Sequence, residues 1–167
     1  MFFGKPDDMP SRELCVGFTG HRPGGLPWGR NESDPYCKEL KQRLAQTIEQ
    51  AYAEGARYFL SGMAEGVDTY AAEAVLQLAE SCPDIRLIAV FPYGEGAFAR
   101  TRRIAARAYK TVSLYPDYVT GCHLVRDRFI VNSCSRLICV YCSGRGGTAA
   151  TMKMAAESGV RMTVLRV

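Results

Sequence analysis

Residues 57–79, Arg57-Tyr58-Phe59-Leu60-Ser61-Gly62-Met63-Ala64-Glu65-Gly66-Val67-Asp68-Thr69-Tyr70-Ala71-Ala72-Glu73-Ala74-Val75-Leu76-Gln77-Leu78-Ala79, hold the fold in miniature. Arg57 to Ser61 is an apolar run of buried-strand length, Gly62 to Asp68 is a glycine-bracketed turn, and Thr69 to Ala79 is an alanine-rich helix. Upstream, Leu14 to Thr19 reads as a strand that enters the turn-rich stretch from Gly20 to Pro35. A helix follows with apolar residues at 36, 40, 44, 48 and 51–52. Downstream, Ile85–Phe91, Thr111–Tyr115, Leu137–Tyr141 and Val160–Val167 read as strands, separated by helices over 97–109, 121–133 and 147–158. Six strands alternating with five helices predict an α/β fold. Right-handed crossovers then give a mainly parallel sheet of about six strands with helices on both faces.

With 167 residues, 47% of them hydrophobic, the chain fits one domain over residues 14–167, with residues 1–13 a loose lead-in. The net charge of +4 suits anionic ligands but is too small to argue for nucleic acid. No run approaches the roughly 20 apolar residues of a membrane span. Met1-Phe2-Phe3 is followed at once by Gly4, Lys5 and Pro6, unlike a secretory signal. Seven cysteines, several inside apolar runs, read as reduced, buried thiols of a cytoplasmic protein. Cys139 and Cys142 have the spacing of half a zinc site without a second pair, so no metal is expected.

Ligands of open parallel sheets bind beyond the carboxyl ends of the strands. Four of those ends are distinctive here: Thr19-Gly20-His21-Arg22, Ser61-Gly62 through Gly66-Val67-Asp68, Pro92-Tyr93-Gly94, and Gly144-Arg145-Gly146-Gly147-Thr148. Glycines let backbone approach a ligand, and each turn leads into a helix whose first N–H groups attract anions. One helix end contributes about 0.3–1 kcal/mol, so several converging on one spot matter more than any single turn. The phosphate-loop spacing is absent, and the first strand does not lead into Gly-x-Gly-x-x-Gly.

The set Thr19-Gly20-His21-Arg22-Pro23, Gly62-Met63-Ala64-Glu65-Gly66-Val67-Asp68, Phe91-Pro92-Tyr93, Arg126 and Gly146-Gly147-Thr148 resembles the YpsA-like proteins of the SLOG superfamily. That superfamily also holds the LOG phosphoribohydrolases and the DNA-processing protein DprA. The resemblance runs from about residue 14 to the end. It implies a Rossmann-like fold and a pocket for a nucleotide or an ADP-ribose-like molecule. By the same resemblance, Arg126 occupies the place of a LOG arginine. LOG enzymes, however, carry a glutamate pair two and three residues after the threonine, where this chain has Ala150 and Thr151. Binding without hydrolysis is therefore expected, and enzymatic activity stays open.

The expected ligand-binding residues are Thr19, Gly20, His21, Arg22, Gly62, Gly66, Asp68, Pro92, Tyr93, Arg126, Gly146, Gly147 and Thr148. An arginine fork at 126 or 22 suits phosphate. Thr148 either adds a hydroxyl to a phosphate clamp or caps the last helix, and Asp68 either accepts ribose hydroxyls or caps the helix starting at Thr69. Glu65, Asp68 and His21 are the candidates for acid–base work, although a carboxylate beside phosphate is repelled and Glu65 then reads as solvated. Tyr93 stacks on a base or is a half-buried loop residue. Arg100, Arg102, Arg103, Arg107 and Lys110 give the third helix a basic face, which reads as solvated surface and falls short of a nucleic-acid footprint. The function expected is binding or sensing of a nucleotide-derived, phosphate-bearing small molecule. The alternatives are a LOG-type phosphoribohydrolase and a DprA-like binder of single-stranded DNA, and homo-oligomerisation is open.

Overall fold

A computed structural model describes residues 8–167; residues 1–7 of the expected lead-in lie outside the described part. Six parallel strands form one sheet: β1 (Cys15–Gly20), β2 (Tyr58–Ser61), β3 (Arg86–Phe91), β4 (Lys110–Ser113), β5 (Arg136–Tyr141) and β6 (Arg161–Arg166). Between them run α1 (Pro35–Ala53), α2 (Val67–Ala79), α3 (Ala99–Arg107), α4 (Cys122–Ser133) and α5 (Gly147–Glu157). The strand order is β4-β3-β2-β1-β5-β6. Connections step outward from β1 to β4, and α4 then carries the chain back across to β5. This makes the carboxyl ends of β1 and β5 the point where strand order reverses.

Two apolar layers flank the sheet. Val16, Phe18, Phe59, Leu87 and Ile138 pack under Leu40, Leu44 and Ile48 of α1, Val75 of α2 and Ile104 of α3. Cys15, Leu60, Ile88 and Leu137 pack on the other face under Ile130 and Val131 of α4 and Ala155 of α5. Strands buried on both faces have no polar side to show, hence the continuous apolar runs in the sequence. Cys139 lies in the second layer, where burial pushes its thiol up to about 12. Cys142 lies in the loop beyond β5, and none of the seven cysteines is joined in a disulfide. No helix among the described residues is long and apolar enough to cross a membrane.

Some boundaries differ from expectation, each for a local reason. Asp34 caps α1 by accepting from Tyr36 N–H at 2.8 Å, with Pro35 in the first turn. Cys37 replaces Tyr36 on the buried stripe, so the spacing 37, 40, 44, 48, 51 follows the helical period while Tyr36 is exposed. The helix expected from Thr69 starts at Val67 behind Gly66. The expected lead-in is docked over its described part: Arg12 donates to the Cys134 carbonyl at 3.2 Å and Asp8 pairs with Lys110. The long 20–35 loop is also tied down. Leu26 and Trp28 enter the core, and Glu32 is gripped by Lys41 and Arg100.

Candidate functional site

Two adjoining compartments open at the carboxyl rim. The smaller, about 270 Å³, lies at the reversal point and is lined by Thr19, His21, Asp68, Asp127, Gly147 and Thr148, among others. The larger, about 450 Å³, runs toward the β3 end and is lined by Pro92, Tyr93, Phe98 and Thr101, among others. Arg22, Ala64, His123 and Arg126 line both compartments. The loops after β1, β2, β3 and β4, together with residues at the starts of α2, α3, α4 and α5, thus share a single cleft.

Arg126 is buried in the wall between the compartments. Its Nε and Nη2 each lie 2.8 Å from Asp127 Oδ1, and Nη1 donates to the Gly62 carbonyl at 2.8 Å. Gly62 is what makes room: a Cβ there would sit 2.9 Å from Arg126 Cδ and Nε and from Asp68 Oδ2. Three of the guanidinium N–H groups are therefore engaged by the protein, so Arg126 braces the cleft as well as facing it. Arg22 is exposed at the mouth, where its Nη2 lies 3.5 Å from His123 Nδ1.

Asp68 is 6% exposed, and its Oδ2 accepts only from Ala64 N–H at 3.2 Å. Burial pushes its carboxyl up to about 6, against the pull of Arg126. It does not cap α2, because Gly66 holds the N-cap position at φ 89°, a conformation that a Cβ would strain. A Cβ on Gly66 would also strike the His21 carbonyl at 2.6 Å. That carbonyl accepts the Val67 N–H at 3.2 Å, and the Gly66 carbonyl takes those of Thr69 and Tyr70. The start of α2 is thus largely satisfied within the protein. The start of α5 differs. Its ladder begins with Ala150 N–H to the Gly146 carbonyl at 2.9 Å, leaving the N–H groups of Gly147, Thr148 and Ala149 ahead of it. Gly146 is the N-cap, so Thr148 is the second helical residue, in the first turn, and is buried along the compartment wall; the reading of Thr148 as cap is corrected.

His21 brackets two strand ends. Its Nε2 accepts from Cys142 N–H at 3.0 Å, and its ring stacks on Tyr141 with centroids 5.8 Å apart. Desolvation holds its pKa below the ordinary value, in keeping with a neutral ring whose Nε2 is an acceptor. Gly20 abuts Val67 so closely that any Cβ would overlap it, which seats the end of β1 on α2. Glu65 forks onto Arg30, with contacts at 2.7 and 3.2 Å, and that hydrogen bonding keeps its carboxyl below the usual range. Tyr93 meets Tyr118 edge-on at 5.6 Å and His123 at 6.2 Å, forming an aromatic rim.

His123 and Asp127 were not among the expected site residues. Their signal is the helical spacing of 123, 126 and 127, which lies on one face of α4. The basic face expected for α3 is partly neutralised: Arg100 pairs with Glu32 and Glu73 and Arg107 with Glu80, Arg102 and Arg103 are exposed, and Lys110 lies on β4, where it pairs with Asp8. Those carboxylates come from the 20–35 loop, α2 and the N-terminal segment.

A likeness to DNA processing protein A accompanies this geometry. The Helicobacter pylori protein, described for its single-stranded DNA binding mode, superposes with a TM-score of 0.65 at 20% identity over 92% of this chain. The Streptococcus pneumoniae protein does so with a TM-score of 0.62 at 21% identity over 93%. The present chain spans 65% and 50% of those chains, and at such identity the likeness extends to the Rossmann-like fold alone. No curated protein matches the sequence. The model of the YpsA SLOG family matches residues 16–162, from β1 to the start of β6 and through every loop that lines the cleft, and the chain belongs to that family.

Proposed function

We propose that the protein binds a nucleotide-derived, phosphate-bearing small molecule across the two compartments. The observation that carries this is the pairing of the open α5 N-terminus, at Gly147 and Thr148, with the Arg22 side chain around one compartment. Backbone N–H groups and a guanidinium fork together suit a phosphate. The larger compartment, with Pro92, Tyr93 and Phe98, offers the apolar and aromatic surface that a base stacks on. Support for a small ligand over a strand of DNA comes from α3, where carboxylates take up Arg100 and Arg107 and leave Arg102 and Arg103, a short basic patch in place of the long track that a strand follows.

Thermal-shift screening with adenine, guanine, cytosine and uracil nucleotides, and with ADP-ribose, tests the reading. At least one should raise the melting temperature of the wild type. Arg22→Ala should reduce that shift severalfold while leaving the unliganded melting temperature within about 2 °C, because exposed side chains contribute little to stability. A wild type stabilised by none of these compounds, or an Arg22→Ala protein that binds as well, overturns it. A salt-sensitive shift of single-stranded DNA in the absence of nucleotide binding favours the DNA reading instead.

A further inference from the structure

We propose that the cleft selects ligands carrying free sugar hydroxyls, ribose over deoxyribose, through the carboxylate of Asp68. The inference rests on the nucleotide reading of the cleft and names the class of nucleotide.

Asp68 is only 6% exposed, yet it lines the smaller compartment. Its Oδ2 has a single hydrogen bond, from Ala64 N–H, and Oδ1 has no hydrogen-bond partner among the described residues. Arg126, the nearest cationic wall residue on α4, directs its donors to Asp127 and Gly62, and no salt bridge joins it to Asp68. A carboxylate withdrawn from water in this way is short of donors. Phosphate oxygens cannot supply them and would be repelled. A 2′-deoxyribose supplies only its single 3′ O–H, and a 2′,3′-dideoxyribose none. A ribose diol carries two O–H donors on one edge, matching an acceptor-only carboxylate, and a site built for such donors rejects the analogue that lacks them because the buried acceptor is then left unpaired. The arrangement divides the cleft by charge: anion donors at Gly147, Thr148 and Arg22, and a hydroxyl acceptor at Asp68. The same chemistry disfavours DNA, which has no 2′-hydroxyl.

The test compares AMP, dAMP and 2′,3′-dideoxy-AMP, and the matching guanosine, cytidine and uridine sets, by calorimetry on wild type and Asp68→Ala. In the wild type, affinity for the best ribonucleotide should exceed that for its dideoxy counterpart at least tenfold. In Asp68→Ala that ratio should fall below threefold, with the dideoxy affinity retained. Equal wild-type affinity for the ribo and dideoxy forms overturns the proposal while leaving the nucleotide reading intact, and needs no variant. A ratio unchanged in Asp68→Ala overturns it too. Absence of binding to every nucleotide removes the cleft reading itself and this proposal with it.

Discussion

Asparagine in place of Asp68 keeps the side chain's size and an acceptor for the Ala64 N–H while removing the charge. The native carboxyl titrates at about 6 against 3.8 for the free group, with desolvation the largest cause and Arg126 opposing it. Two pH units at about 1.4 kcal/mol each make the ionised form cost about 3 kcal/mol in the folded state at neutral pH. The native state binds more protons than the unfolded chain between 3.8 and 6, so this cost is absent below that window, grows through it and is complete above it. Urea unfolding at pH 7.5 should therefore show Asp68→Asn to be more stable than wild type by about 3 kcal/mol, with most of the gain lost near pH 4. His21 and His123, which line the same compartment, are present in both proteins, so their own contributions cancel in the difference to first order. A variant less stable than wild type at pH 7.5, or a gain equal at both pH values, would refute the reasoning. A stabilising substitution at this cleft-facing position would accord with the proposed binding role, for which stability is commonly sacrificed.

Arg126→Ala leaves Asp127 without its cation and the Gly62 carbonyl without its donor, and should cost about 3 kcal/mol by chemical denaturation. A loss under about 0.5 kcal/mol would show that the guanidinium does not brace the wall. Gly62→Ala drives a methyl to 2.9 Å from both Arg126 and Asp68, so about 1–3 kcal/mol of stability and most nucleotide binding should be lost together. Retained binding with normal stability would mean that the wall relaxes freely. Glu32 is held at about 2, chiefly by hydrogen bonding from Arg100 with Lys41 assisting, and ties the 20–35 loop to α1 and α3. Glu32→Gln should lower stability above about pH 4.5, with the difference shrinking as pH falls toward 2, and proteolysis within residues 20–35 should quicken.

Much of the fold was legible because its signals are local. Continuous apolar runs mark strands buried on both faces, and the glycines after them mark the turns, so all six strands fall within a few residues of their expected places. The family resemblance, carried by the same rim motifs, is matched by the family model over residues 16–162. Cap chemistry was harder to read. Asp68 and Thr148 both stand near a helix start in sequence, yet glycine takes the cap in each case and frees their side chains to face the cleft.

What the sequence determined alone is the alternation of strand and helix, the parallel sheet that follows from it, and the rim on which the chemistry gathers. These depend on hydrophobic period and backbone freedom, which neighbouring residues dictate. Tertiary structure decided how each polar group is satisfied. Arg126 reaches a carbonyl 64 residues away, and His21 receives an N–H from a residue 121 positions along. The arginines of α3 find carboxylates on two other segments, the 20–35 loop and α2 with its C-cap. Asp68 becomes a buried carboxylate only because β1, the β2–α2 turn and α4 close around it. Desolvation and pairing arise from what surrounds a group in space, and only the assembled sheet brings those surroundings together.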